Sequence, residues 1–82
     1  MEHNEPSVFY FNSNCLLVVN SKGIIRILFT PFKVMTIDGS CGIPEGTILF
    51  VEEIGSDKQD KLYFIIFGHP YFHFYFYVPV EF

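Results

Sequence analysis

The sequence has no alanine and no tryptophan, and only five leucines among its 82 residues. The chain therefore has few of the residues that most readily build helices, because alanine and leucine head the scale of helix propensity. Aromatic and β-branched residues stand in their place, including eleven Phe and five Tyr. Such side chains favour the pleated surface of a sheet. The composition predicts an all-β protein with a core rich in aromatic rings.

Basic charge is also scarce. The chain has five Lys and Arg against nine Asp and Glu, which gives a net charge of −4. A protein that binds nucleic acid through its phosphates needs a concentrated positive field. The composition therefore disfavours a nonspecific binder of the phosphate backbone.

Cysteine and long apolar runs are sparse as well. Cys15 and Cys41 stand alone, without a Cys-x-x-Cys motif, and we expect both to be reduced, with a disulfide between them as the alternative. The N-terminus, MEHNEPS, is polar and acidic, unlike a secretory signal. No apolar run approaches the ~20 residues of a membrane span. We therefore expect a cytoplasmic protein without membrane contact.

Short apolar runs alternate with turn residues at a spacing typical of a small sandwich or barrel. Seven runs have the length of strands: Val8–Phe11, Leu16–Val19, Ile24–Phe29, Phe32–Ile37, Thr47–Ile54, Leu62–Phe67 and Tyr71–Val78. We expect Gly23 to close a hairpin, Pro31 to turn the chain into another sheet, and Pro44 to take the second position of a type II turn. Residues 7–82 would form one domain after a flexible N-terminus over residues 1–6.

The second half of the chain has a recognisable order of pieces. An incoming strand from about Phe32 is followed by IPEGTILFVEEI, a polar turn GSDKQD and the run KLYFIIFGHPYFHFYFYV. In this pattern it resembles the small SH3-like barrels. The resemblance implies an SH3-like barrel, and our prediction for the fold is an SH3-like or OB-like barrel of about 5–7 short antiparallel strands. It does not imply recognition of proline-rich peptides, because the Trp pair and acidic loop that SH3 domains use are lacking.

The last run alternates with a period of two, as a half-buried strand does. Its core face would consist of Phe72, Phe74, Phe76 and Val78. Its other face would carry Tyr71, His73, Tyr75 and Tyr77. Two interpretations of that second face stay open. Its tyrosines either cover a further layer of core or form a platform for a partner, since Tyr is enriched at interfaces. These four residues are our candidate partner-binding site.

The sequence offers no constellation for catalysis or metal binding. His69 and His73 would lie about 13 Å apart along a strand, too far for one ion. Glu52 and Glu53 are adjacent, so on a strand their carboxylates face opposite ways. Nothing brings a cysteine next to a histidine, and we expect too little room for a substrate pocket of ~300 Å³. We predict a non-enzyme without cofactor or metal.

These expectations favour a small non-catalytic protein–protein interaction module that docks a partner through the aromatic strand face or an exposed strand edge. Regulators and inhibitors of the kind found in phages and mobile elements have this size and character. The alternative is a small β-barrel that binds single-stranded nucleic acid by stacking bases on the same tyrosines, which the net charge disfavours. A homo-oligomer in which surplus aromatic residues pair between copies also stays open.

Overall fold

A computed structural model describes residues 6–82, in which nine short strands and one turn of 3-10 helix, His73–Tyr75, follow one another. The strands are β1 Ser7–Asn12, β2 Cys15–Val19, β3 Ile25–Phe29, β4 Phe32–Thr36, β5 Ile48–Val51, β6 Glu53–Ser56, β7 Leu62–Ile66, β8 His69–Phe72 and β9 Phe76–Tyr77. Most of the predicted flexible N-terminus, residues 1–5, lies outside the described residues. The division into a single domain stays a prediction.

The strands form three antiparallel sheets of three strands each, in the orders β1-β2-β3, β5-β4-β9 and β6-β7-β8. The all-β prediction is confirmed. Within residues 6–82 no strand pairing joins one sheet to the next, so a closed barrel is not confirmed. The strand count exceeds the prediction because two of the expected strands are each divided in two. The same residues contain no helix long and apolar enough to cross a lipid bilayer.

All three sheets contribute to one hydrophobic core. Its buried members are Leu16, Val18, Phe32, Val34, Val51, Ile54, Leu62, Phe64, Ile66, Phe76 and Val78. The fully buried ring of Phe64 meets Phe32 edge-on, with centroids 5.7 Å apart, and tilts against Phe76 at 6.1 Å. Burying a side chain of this size contributes about 1.5–3 kcal/mol. The other eight buried members of the core are aliphatic, so the core holds three of the eleven phenylalanines and is less aromatic than the composition predicts.

Local turn chemistry places the connections where the sequence predicts them. Gly23, at φ +83°, closes the hairpin between β2 and β3. The side-chain oxygen of Asn20 accepts hydrogen bonds of 2.9 Å from the N–H groups of Lys22 and Ile24 in the same turn. At Pro31 the chain leaves the first sheet and enters the second, as predicted.

Thr36 fastens the long loop between β4 and β5. Its side chain is buried, and its hydroxyl donates a hydrogen bond of 2.6 Å to the Pro44 carbonyl and accepts one of 2.9 Å from the Thr47 N–H. Pro44 is the first residue of the turn rather than the second, because the Thr47 N–H also donates to the Pro44 carbonyl at 3.3 Å. Gly46, at φ +80°, supplies the left-handed residue that the turn requires.

The predicted strand Thr47–Ile54 is two strands. β5 pairs with β4 and β6 pairs with β7, and the break at Glu52 lets the chain pass from the second sheet to the third. The Glu52 carboxylate accepts hydrogen bonds from the N–H groups of Phe67, at 3.1 Å, and Gly68, at 3.2 Å. Both of these residues have positive φ and form the tip of the β7–β8 hairpin. Glu52 therefore braces a turn that is distant in sequence.

The prediction of one continuous strand over Tyr71–Val78 is wrong. β8 pairs with β7 in the third sheet, whereas β9 pairs with β4 in the second, and the 3-10 helix turns the chain between them. Because the chain changes sheets here, the alternation of one end does not continue into the other. Phe76 and Val78 are buried as predicted, but Phe72 and Phe74 are exposed.

Candidate partner-binding site

The structure separates the four residues of the predicted site. His73 and Tyr77 line one cleft together, while Tyr71 lines a different one. Tyr75 lines neither of these clefts and packs against the hydrophobic core. Tyr71 also packs against the core, its ring meeting Phe76 edge-on at 6.0 Å. The four side chains therefore do not form one continuous platform.

Two neighbouring clefts flank β1 and together form a groove, which we call the β1 groove. Their volumes are about 340 and 320 Å³. Val8, His73 and Phe74 line both clefts. Each cleft reaches the ~300 Å³ lower limit for small-molecule pockets, a size for which the sequence predicts too little room.

The β1 groove runs along the open edge of its strand. β1 pairs on one side only, with β2. Ser7 and Val8 line one cleft, and Val8, Phe9 and Tyr10 line the other. Consecutive side chains of a strand point to opposite faces, so a groove lined by all of them follows the edge of the sheet rather than one of its faces. The backbone groups of β1 that do not bond to β2 point toward its unpaired edge.

Aromatic rings form the opposite wall of the β1 groove. The rings of Phe72 and Phe74 stack with their centroids 5.4 Å apart and their planes 10° from parallel. The Lys61 ammonium lies 5.8 Å from the centre of the Phe72 ring, a distance at which a cation and a ring attract each other. Phe74 is 56% exposed. The wall thus presents flat apolar area to solvent, with a basic group at one end.

His73 is the titratable residue at the centre of the groove. Its imidazole is half-buried and meets the Phe64 ring edge-on at 6.5 Å. Burial lowers the pKa of His73 below its usual value, because removing water from around the ring disfavours the charged form. The neutral imidazole has one nitrogen that donates a hydrogen bond and one that accepts. It can therefore bond to either polar group of a peptide backbone.

The described part of the chain brings no metal-binding cluster together, and the prediction of a non-enzyme stays a prediction. Among residues 6–82, no three side chains of His, Cys, Asp or Glu are close enough to hold a metal ion. Cys15 and Cys41 are both free thiols, the first buried and the second partly exposed. The residues that line the β1 groove are mainly apolar and aromatic.

Sequence reasoning predicted β1 as a strand but assigned neither its edge nor the exposed phenylalanines to the candidate site. Phe9, Phe11 and Phe29 are all more than half exposed, although their runs read as ordinary strands. The signal for exposed aromatic residues was their number, because a chain of this length with eleven Phe cannot bury them all. The composition shows that there are more aromatic residues than the core can hold, but it does not show which strands carry the exposed ones.

Comparison of the chain with known proteins found no related protein. No protein-family model matches the sequence, and neither a curated protein nor a solved structure does so.

Proposed function

We propose that this chain is a small non-catalytic protein–protein interaction module that binds an extended segment of a partner in the β1 groove. The observation that carries the proposal is the coincidence of an unpaired strand edge with two clefts in succession along it. A partner strand that adds to a sheet edge gains affinity from main-chain hydrogen bonds and specificity from pockets for its side chains. The β1 groove offers both kinds of contact.

The chemistry of the groove favours an apolar partner segment. Val8, Phe74 and Tyr77 supply apolar contact area, and His73 supplies the central polar group. Asp60 and Lys61 lie at the second cleft, so charged groups are confined to one end. The segment that fits would carry apolar side chains toward the clefts. From the predicted site, His73 and Tyr77 take part in this proposal, while a partner-binding role for Tyr71 and Tyr75 stays a prediction.

A regulator or inhibitor of the phage or mobile-element type is the role in which a module of this size and composition would act. The arrangement of three sheets around one core also supports, as a proposal only, a distant kinship with SH3-like or OB-like barrels. Neither proposal is needed for the binding experiment.

The test is selection of peptides from a random display library, followed by titration of the purified protein with the selected peptides. We expect peptides with apolar residues at alternate positions, whose amide chemical-shift changes map to β1 and to residues 72–77. Phe74→Asp should weaken binding at least about tenfold, because an exposed aromatic anchor at a binding site contributes on the order of 2 kcal/mol.

The matched control is Phe50→Asp. Phe50 is 57% exposed, nearly the same as Phe74, but it lies on β5 and lines neither cleft of the groove. We expect its affinity to equal that of the wild type. Peptide binding that Phe74→Asp leaves unchanged, or shift changes centred away from β1, would contradict the proposal. Salt-sensitive binding of a single-stranded oligonucleotide, with no peptide selected, would support the nucleic-acid alternative instead.

A further inference from the structure

The side of the first sheet that faces away from the core is apolar throughout its centre. Leu16 and Val18 point into the core, so their neighbours along β2 point outward. The strand register places Phe9, Leu17 and Ile27 in one row across the sheet. We call this side the outer face, and its solvent-accessible apolar members on the three strands are Phe9, Leu17, Val19, Ile25, Ile27 and Phe29. Cys15 follows the same alternation but is buried.

The outer face carries no charge. Arg26 is the one charged residue in the three strands. It lies opposite Val18 in the register and therefore points to the core side of the sheet, where its guanidinium lies 5.7 Å from the centre of the Phe82 ring. The two edge strands, β1 and β3, thus carry no charged side chain on this side of the sheet.

The exposed apolar area is of the size that an interface uses. Phe9, Ile25, Ile27 and Phe29 are each 52–68% exposed. With about 200 Å² for a fully exposed side chain of this size, the four together present on the order of 400 Å². A standard interface buries about 800 Å² on each partner, with a polar rim around an apolar centre. The four side chains therefore supply about half of the area that one partner buries in such an interface. This half corresponds to the apolar centre.

We infer that the outer face packs against the outer face of a second copy of this chain. A twofold interface places the same patch on both sides, and a patch without charge meets itself without repulsion. The chain as a whole carries a net charge of −4, so two copies repel each other elsewhere and come together most favourably at an uncharged surface. Two sheets that stack in this way form a sandwich about 10 Å thick, the ordinary means of covering an apolar sheet face.

The inference can be tested apart from the proposed peptide groove. Phe9 belongs to both surfaces, since it lines the second cleft of the groove, but Ile27 and Phe29 line neither cleft. Changes at β3 therefore test the outer face alone.

Sedimentation equilibrium from about 1 to about 500 μM tests the inference. We expect the wild type to approach twice the chain mass of 9.6 kDa as concentration rises. Ile27→Lys should raise the dissociation constant at least about thirtyfold, because it places one ammonium from each copy in the apolar centre. Its far-ultraviolet circular dichroism should match that of the wild type, since the side chain is exposed.

The matched control is Ile48→Lys. Ile48 is 51% exposed and Ile27 is 53% exposed, and both lie on edge strands, but Ile48 belongs to the second sheet. This variant should dimerise as the wild type does. A wild type that stays monomeric at every concentration overturns the inference, and so does a dimer that Ile27→Lys leaves intact. A dimer broken equally by both lysines would place the interface elsewhere.

Discussion

The first and third sheets are built on the same plan, yet their outer sides differ. Each has a central strand with apolar side chains on both sides: Leu17 and Val19 point outward on β2, as do Tyr63 and Ile65 on β7. In the first sheet the outward row continues into exposed Phe9 and Ile27 on the edge strands. In the third sheet the row through Ile65 meets no exposed apolar residue on either edge strand, and the row through Tyr63 meets one, Phe72, which is 37% exposed.

The edge strands account for the difference. Ile65 lies between Glu53 and Pro70 in the register of the third sheet, so a charge and a residue without an N–H group stand at its two edges. Tyr63 lies directly opposite Gly55, and its ring covers the glycine. A central strand with two apolar sides therefore does not determine whether a sheet offers a binding surface. Its neighbours do.

The largest effect should separate the two sides of β2. Leu16→Ala should lower the free energy of unfolding by about 2–5 kcal/mol, because it empties a fully buried position in the core. Leu17→Ala, the next residue along, should cost about 1 kcal/mol or less at low protein concentration, since its side chain lies on the outer face. Urea denaturation of both variants measures this difference. Equal losses would mean that the outer face is packed as tightly as the core.

A second comparison concerns the glycine under Tyr63. A Cβ atom at Gly55 would overlap the Tyr63 ring, so Gly55→Ala should lower the free energy of unfolding by about 1–3 kcal/mol. Gly39→Ala is the control, because the nearest atom to its Cβ would be the Ile43 carbonyl oxygen at 3.9 Å. Thermal denaturation should show a lower midpoint for the first variant and little change for the second. Similar midpoints would show that the tyrosine ring moves aside without cost.

The sequence predicts those features of the fold that depend on residues close together in the chain. The positions of Gly23 and Pro31 were predicted correctly, because positive φ and a missing N–H group act within a few residues. The strand at Leu62–Phe67 was likewise predicted, because its apolar run has the length of a strand and is bounded by turn residues. These features need no knowledge of what packs against them.

The outward position of Phe72 and Phe74 could not be predicted in the same way. It arises because β8 and β9 pair with strands of different sheets, and such pairing depends on contacts distant in sequence. The β1 groove likewise needs residues from both ends of the chain, since Val8 and Phe74 meet only in the folded structure. Only the surplus of aromatic residues was visible beforehand.

The smallest expected effect is a pH dependence at His73. Burial lowers its pKa in the folded chain, so the unfolded chain takes up a proton first as the pH falls below the ordinary value of 6.5. The free energy of unfolding should therefore fall with decreasing pH and level off once the folded imidazole is also protonated. His73→Gln should reduce this decline, as measured by urea denaturation between about pH 7.5 and pH 5.

The matched variant for that experiment is His69→Gln, which removes an exposed imidazole at the start of β8. It should keep the decline of the wild type. If His73→Gln declines as steeply as the wild type, burial of the His73 ring is not the cause.

Thr36 closes both ends of the segment that joins β4 to β5 with a single hydroxyl group. Since this closure lies beneath the surface, residues 38–42 are held at their base, and their own hydrogen bonds are local: the Ser40 N–H donates to the Asp38 carboxylate at 2.8 Å and the Gly42 N–H to the Gly39 carbonyl at 3.1 Å. The segment can then vary in length while the register of β4 with β5 stays the same, because longer loops cost little additional closure entropy. An epitope or fluorophore inserted there would report on the folded chain without entering either sheet.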